Sequence, residues 1–174
     1  MNRGQLHTGR ELAEQLMGLA ERQPDPGLLM QAHHMLGPTL LFLGSLASAR
    51  SHSEAAIALY DPEKHRSHAS LYGGHDPCVC CSGFSSWVHW ILGSPDLALR
   101  RAREAIDLAR GLEQPTSLAH ALQFAAMLHQ LRGEPEAARS PSNERPAALQ
   151  RDELRERRLR VVGHHGMPPL TPDA

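Results

Sequence analysis

The sequence predicts an all-α protein in which antiparallel helical hairpins stack into a short array. Apolar residues recur at helical spacing along most of the first 139 residues. Gly and Pro interrupt the periodic segments, as they do where helices end. No segment has the alternation of apolar and polar residues that is typical of a half-buried strand.

Six helices are predicted along this part of the chain. Thr8 followed by Glu11 has the form of a capping box in front of the first helix. Gly44 is expected to end the second helix, and Pro95 to open the fifth at its first position, where a missing N–H costs nothing. The helices cover about residues 9–22, 27–43, 46–60, 79–92, the segment from 95 onward, and 118–131.

Two features depart from the helical pattern. Residues 63–77 carry Gly73, Gly74 and Pro77 with little periodicity, and they predict a long loop with room for one helical turn. Pro38 falls inside the second helix, where it removes a hydrogen bond and costs about 3 kcal/mol. That helix is therefore expected to kink, or to begin later than its pattern indicates.

A repeat emerges when the chain is aligned on the glycines that separate its helices. Each of Gly44, Gly93 and Gly133 is followed five residues later by an alanine, at positions 49, 98 and 138. The glycine is expected to turn the chain, and the alanine to let the next helix close in. Leu36 and Gly37 also occupy the Leu-Gly positions of the tetratricopeptide (TPR) motif, so the copy from 30 to about 63 looks like that motif.

We therefore expect residues 1–139 to form a short TPR-like right-handed solenoid. The copies are more widely spaced than the standard repeat of about 34 residues, and the largest excess falls in 63–77. An ordinary helical bundle with coincidental small residues is the alternative. The pattern stops at Arg139, and residues 140–174 predict an irregular, disordered charged tail in which 149–162 has the composition of a short charged helix.

Five runs of sequence carry a closer resemblance. They are QAHHMLG at 31–37, LYDP at 59–62, LYGGHDP at 71–77, WILG at 90–93 and AAMLHQ at 125–130. Over about residues 10–139 the chain resembles the C-terminal helical repeats of bacterial class III adenylate/guanylate cyclases that are joined to a signal-transduction ATPase module. The resemblance implies a regulatory or sensory tail, because the cyclase aspartates and the ATP-binding loop of such proteins lie elsewhere. This chain has no Gly-rich Lys-Ser/Thr loop.

Charge and cysteine content restrict the partners and the compartment. The formal net charge of −1 gives no basic excess for a nucleic acid or an anionic membrane. The longest apolar stretch, near residues 40–43, is far too short to span a bilayer. The three cysteines lie within four residues and cannot staple distant parts of a fold, so we expect a cytoplasmic protein. Lys64 is the only lysine, and the use of arginine elsewhere indicates a GC-rich bacterial genome.

One cluster has the donor atoms of a metal site, namely His75, Cys78, Cys80 and Cys81. Against this interpretation, Cys80 and Cys81 are adjacent and no second Cys-x-x-Cys pair exists. A helix over this segment would also point the thiols in different directions. We therefore expect these cysteines to be small packing residues, with no metal and no cofactor bound.

The first helices of successive hairpins are expected to line a groove that holds a protein partner. Its positions mix aromatic anchors with amide and imidazole donors, as recognition surfaces do. They are His34, Leu41, Phe42, Trp87, Trp90, Ile91, His120, Gln123, Met127 and Gln130. Trp87 and Trp90 are expected to contribute to the core rather than to stack on a cofactor.

The first predicted helix has the pattern of a second helix of a hairpin, without a first helix before it. Its stripe of Leu12, Leu16 and Leu19 should leave an apolar side open. We therefore expect end-to-end self-association or a neighbouring upstream domain.

The function expected from these observations is a non-catalytic protein-interaction or regulatory module. No set of residues at an interpretable spacing indicates a catalytic centre. A helical domain that senses a small molecule for an attached ATPase or cyclase is the alternative. A third possibility is a gene remnant without a function of its own, since the tail looks like out-of-frame or decayed coding sequence.

Overall fold

The computed structural model describes residues 5–72 and 74–139, and within these ranges all regular secondary structure is helical. The predicted all-α class is thereby confirmed. The predicted tail at 140–174 lies outside the described residues. The helices are α1 (Leu6–Ala20), α2 (Pro26–Phe42), α3 (Leu46–Leu59), α4 (Pro62–His65), α5 (His68–Tyr72), α6 (Pro77–Ile91), α7 (Pro95–Gly111), α8 (Pro115–Leu131) and α9 (Pro135–Arg139).

Two local predictions are wrong, and one of the two alternatives given for the second helix is excluded. α1 begins at Leu6, so Thr8 lies inside the helix and the capping box does not form. The second helix does not begin late, since α2 begins at Pro26 and continues through Pro38, which is buried. The predicted long loop after α3 contains α4 and α5, which are single turns too short to give a periodic signal.

Asp-Pro pairs begin α2, α4 and α6. In each case the aspartate side chain accepts hydrogen bonds from two backbone N–H groups of the first turn, and proline fills the first helical position. The three capping residues are Asp25, Asp61 and Asp76. A carboxylate at this position satisfies N–H groups that the helix itself leaves unpaired.

Gly44, Gly93 and Gly133 end α2, α6 and α8 in the same way. All three have positive φ angles, of 81°, 79° and 73°. The residue after each glycine donates its N–H to the carbonyl oxygen five positions earlier, at 2.9, 2.8 and 2.9 Å. This is the Schellman arrangement, in which glycine adopts the left-handed conformation at no steric cost. The turn predicted at each glycine is confirmed.

Each of these glycine turns joins a first helix to a second helix. We call α2, α6 and α8 the first helices, and α3, α7 and α9 the second helices. Each first helix packs on its own second helix, α3 also packs on α6, and α7 also packs on α8. The first helices pack side by side, α2 on α6 and α6 on α8, and α1 packs on α2.

Small residues allow the second helices to approach closely. The predicted alanines Ala49 and Ala98 are fully buried, and Ala13 of α1 is nearly so. Around them lie apolar clusters such as the one that Val79 and Leu128 form between α6, α7 and α8. Burial of this kind is the main force that holds helices together.

Asp76 ties three helices to one another. Its Oδ1 accepts from the N–H groups of Cys78 and Val79 at the start of α6, at 2.9 and 3.0 Å. Its Oδ2 accepts from the hydroxyl of Tyr60 at the end of α3, at 2.7 Å. Its own N–H donates to Oγ of Ser117 in α8, at 2.9 Å. The carboxylate is fully buried, and the three groups that donate to it, from Tyr60, Cys78 and Val79, replace the water that it loses.

The contact between α6 and α8 depends on a residue without a side chain. A Cβ atom added at Gly83 would overlap the ring of Phe124. That ring is itself held by edge contacts with Phe84 and Trp87, at centroid distances of 4.7 and 4.9 Å. It has little room to move aside.

Replacing Gly83 with alanine should therefore destabilise the protein by about 1–3 kcal/mol through overpacking. Gly18→Ala is the matched control, because no atom lies within 4 Å of its added Cβ. In α1 that change should stabilise by about 0.5–1 kcal/mol, the difference between alanine and glycine inside a helix. Urea unfolding monitored by circular dichroism measures both. Equal effects of the two substitutions would contradict the close approach of α6 and α8.

Candidate functional site

The three first helices form an uncharged surface, which we call the first-helix face. None of α2, α6 and α8 contains Asp, Glu, Lys or Arg. The second helix α7, in contrast, carries charged side chains along its length. Because the first helices lie side by side, their outward surface presents apolar, amide, hydroxyl and imidazole groups.

The predicted groove residues divide into two groups. Gln123, Gln130, Phe42, Ile91 and Met127 are exposed, the last three to 50%, 53% and 40%. The other five are half-buried, namely His34, Leu41, Trp87, Trp90 and His120.

Three of the half-buried residues pack against the interior, and one of them, Trp87, packs against the apolar cluster of α6, α7 and α8. Leu41 packs against the apolar cluster that joins α1, α2 and α3. Trp90 packs against the cluster of α6, α7 and α8, and the guanidinium of Arg132 lies over its ring, 5.6 Å from the centroid. Such a cation–π contact covers one side of the indole.

A row of aromatic rings crosses the first helices. Phe42 of α2 contacts Phe84 of α6, and Phe84 contacts Phe124 of α8, at centroid distances of 5.9 and 4.7 Å. Nε1 of Trp87 donates to the carbonyl oxygen of Phe124 at 3.0 Å and fixes the indole beside this row. Sequence analysis missed Phe84 and Phe124. Phe84 lies three residues before Trp87, and Phe124 lies three residues before Met127. Since residues three apart share one side of a helix, this spacing could have indicated both phenylalanines.

A second group of side chains meets where the chain enters α6. The donor atoms of His34, His75 and Cys80 all lie within 4.8 Å of one another. The ring of His75 meets that of His34 edge to face at 5.8 Å and stacks on that of His120 at 4.4 Å.

The cluster differs from the candidate set of sequence analysis. His75 and Cys80 converge as that set proposed, but Cys78 and Cys81 are not among the converging donors. Cys81 is instead buried against Met30. The direction of each thiol follows from the helix: successive residues point about 100° apart around α6.

The charge state of the cluster follows from its burial. Burial, assisted by the neighbouring His75, lowers the pKa of His34 to about 4. Burial, assisted by the carboxylate of Asp76, raises the pKa of the Cys80 thiol to about 12. Both groups are therefore neutral near pH 7 when nothing is bound to them.

A polar network joins the two hairpins at Glu54 of α3. Its carboxylate accepts hydrogen bonds from Oγ of Ser85 at 2.7 Å and from Nε2 of His89 at 3.1 Å, both in α6. It also pairs with the guanidinium of Arg101 in α7. His89 thus bonds between helices, whereas His129, which lies at the same distance before its glycine, bonds to Glu134 in the turn that follows its own helix.

Comparison with known proteins adds no relative. No protein-family model, no curated protein and no solved structure matches this chain. Among the helices of the described residues, none has the length and apolarity needed to cross a membrane.

The Glu54 network predicts a pH-dependent contribution to stability. Burial opposes ionisation of Glu54, but hydrogen bonds from Ser85, Arg101 and His89 lower its pKa below the ordinary value. A carboxylate whose pKa is lowered by folding stabilises the protein above its unfolded-state pKa, about 4.3 for glutamate. That stabilisation is lost as the pH falls through the lower, folded-state pKa.

Glu54→Gln should therefore destabilise the protein by about 2 kcal/mol at pH 7, as expected for lost hydrogen bonds to a charged group. The difference from wild type should shrink as the pH falls below about 4. Glu14→Gln, which removes an exposed pair with Arg10, is the control and should cost at most about 0.5 kcal/mol. Urea unfolding at several pH values measures both. A difference for Glu54→Gln that does not change with pH would contradict the ionic role of this residue.

Proposed function

We propose that the described helices form a TPR-like right-handed array that acts as a non-catalytic protein-interaction or regulatory module. Two properties support the array: the same glycine turn ends each first helix, and the second helices α3 and α7 each pack on the next first helix. Arrays of this kind bind partners on the surface that their first helices share. The resemblance to cyclase-linked repeats suggests that the partner is a signalling ATPase or cyclase domain.

The proposal depends on one observation: the first-helix face has no charged residue, and several of its large apolar side chains are exposed to solvent. Phe42 and Met35 are each about half-exposed on α2, Ile91 on α6, and Met127 and Leu131 on α8. Half of each of these side chains stays in contact with water, which is unfavourable for the protein alone. An aligned apolar surface of this kind marks a site of protein contact.

The chemistry of this face defines its partner. With no charged residue on α2, α6 or α8, the face offers no ion pair to a phosphate or to a strongly acidic segment. It offers aromatic and thioether contacts together with the amides of Gln123 and Gln130. An uncharged, largely apolar protein segment is the partner that it fits best.

Small-molecule sensing, the alternative, is supported less well. One hollow of about 430 Å³ between α2, α3 and α4 is lined in part by Asp25, Asp61 and Lys64. Another, of about 260 Å³ beside α1, includes Arg10 and Glu14 in its wall. A pocket that senses an organic ligand is usually enclosed and mostly apolar, with few polar groups.

A second contact surface lies on α1. Leu12 and Leu19 are 60% and 50% exposed, although Ala13 and Ala20 of the same helix are buried against the protein. The half-buried Leu16 lies between the two exposed leucines on the helix surface. This leucine surface is apolar and open.

A comparison of α1 with the second helices α3 and α7 indicates what should cover the leucine surface of α1. When α1, α3 and α7 are aligned on the buried alanines at positions 13, 49 and 98, Leu16 corresponds to His52 and to Arg101. His52 bonds to His33 of the preceding α2, and Arg101 pairs with Glu54 of the preceding α3. In both copies this position contacts helices that come before it. The α1 surface therefore fits a preceding helical hairpin, and the end of a second copy of this chain supplies one.

The first-helix face predicts a specific pattern of peptide binding. Peptides selected from a phage-displayed library against the purified protein should be uncharged and rich in apolar residues. Ile91→Asp and Met127→Asp should each weaken their binding by at least about tenfold, because a charge would be buried on complex formation.

Leu71→Asp is the matched control, since Leu71 is 68% exposed on α5 and lies off the first helices. It should leave peptide affinity unchanged. Selected peptides that bind all three variants as well as wild type would contradict the assignment of the binding surface.

The α1 surface predicts self-association. Sedimentation velocity over a concentration series should detect association of the wild-type chain, and Leu12→Gln with Leu19→Gln should abolish it. Leu71→Gln, an equally exposed change elsewhere, should leave it intact. A wild-type chain that stays monomeric at high concentration would contradict self-association through α1.

A further inference from the structure

Three side chains of the kinds that bind metals, from two parts of the chain, converge beside the start of α6. His34 lies in the middle of α2, His75 precedes α6, and Cys80 lies in the first turn of α6. Their donor atoms all lie within 4.8 Å of one another, although His34 is more than forty residues away from Cys80 in sequence. Convergence at this distance is a property of the fold and not of local sequence.

We propose that His34, His75 and Cys80 form a zinc site. The proposal is independent of the protein-interaction role. It replaces the packing role that sequence analysis assigned to Cys80, whereas Cys78 and Cys81 keep theirs.

The donor set suits a borderline-soft ion. Imidazole nitrogen and thiolate sulfur are the ligands that zinc takes most often, whereas Mg²⁺ and Ca²⁺ require oxygen. Bond lengths of about 2.0–2.3 Å bring the ligands of a tetrahedral zinc to about 3.5 Å from one another, so donors within 4.8 Å need side-chain shifts of about 1 Å. Three protein ligands leave the fourth position to water or to another ligand.

Gln31 orients the imidazole of His34. Its amide nitrogen lies 3.0 Å from Nδ1 of His68, and its Oε1 lies 3.1 Å from Nδ1 of His34. An amide oxygen can only accept, so Nδ1 of His34 carries the proton and Nε2 has the lone pair that a metal needs. Gln31 itself is only 4% exposed. A buried carbonyl that accepts from the second nitrogen is the usual support of a metal-binding histidine.

The other two ligands are also held in place. The ring of His120 stacks on His75 at 4.4 Å with an angle of 14° between the planes, which restricts rotation of the His75 ring. The N–H of Cys80 donates to the carbonyl oxygen of Asp76 at 3.1 Å, within the turn that Asp76 caps. This hydrogen bond fixes the backbone of Cys80 in the first turn of α6.

A metal at this position would have a structural consequence. It would join the connection before α6 to α2, two parts of the chain that belong to different hairpins. His34 and His120 also lie among the predicted groove residues, so the site is next to the first-helix face. The thiol must lose its proton when the ion binds, and the charge of the ion compensates for the buried thiolate.

Titration of the purified full-length chain with Co²⁺ tests the proposal, because cobalt replaces zinc and gives a thiolate charge-transfer band. Wild type should bind one equivalent with this band, and Zn²⁺ should displace the cobalt. Cys80→Ser should lose the band, and His34→Gln should weaken binding strongly. Gln31→Ala should weaken binding by about 10- to 100-fold, as the loss of a supporting hydrogen bond does at other metal sites.

Two neighbouring substitutions serve as controls. Cys78→Ser changes a buried thiol two residues from Cys80, and His33→Gln changes the histidine next to His34, which bonds to His52 instead. Both should keep the band and the affinity. Circular dichroism confirms that each variant is folded before it is compared.

The proposal is overturned by either of two results. One is a folded wild-type protein that binds Co²⁺ without a thiolate band, or does not bind it. The other is a band that survives Cys80→Ser or disappears in Cys78→Ser.

Discussion

The arrangement of the helices depends on the buried carboxylate of Asp76. This side chain caps α6 and accepts a hydrogen bond from the hydroxyl of Tyr60 at the end of α3. The backbone N–H of the same residue donates to Ser117 in α8. Burying a charge is costly unless each lost contact with water is replaced, so the start of α6 and the end of α3 must meet at this carboxylate together. Burial, together with the hydrogen bond to Asp76, raises the pKa of Tyr60. Asp76 therefore determines where α6 begins relative to α3 and α8.

Both proposed sites follow from the position of α6. The first turn that Asp76 caps carries Cys80, and this brings its thiol to His34 and His75. One turn later Gly83 lets α8 approach, so that Phe84 and Phe124 touch and the aromatic row continues across the first helices. The charged groups are concentrated on the second helices, where Glu54 and Arg101 join one hairpin to the next. The ion pair that joins the hairpins therefore lies on different helices from the uncharged surface that we propose for binding.

Local features could be predicted from the sequence, whereas long-range contacts could not. Gly44 and Gly93 were recognisable as turns because only glycine adopts a positive φ without strain, and Ala49 was recognisable because a helix crossing needs a small side chain. The roles of Asp76 and of the pair formed by His34 and Cys80 depend on partners far away in sequence. The periodicity of apolar residues in a sequence does not indicate contacts between residues so far apart. The short helices α4 and α5 were missed because one turn cannot establish a period.

Amide hydrogen exchange tests the role of Asp76 most directly when Asp76→Ala is compared with Asp61→Ala. Both residues cap a helix through an Asp-Pro pair, but only Asp76 also bonds to α3 and α8. The account predicts that Asp76→Ala speeds exchange in the first turn of α6 and at the end of α3, because the carboxylate bonds to both, while Asp61→Ala affects α4 alone. Exchange that changes only in the first turn of α6 would contradict it, because Asp76 would then be an ordinary helix cap.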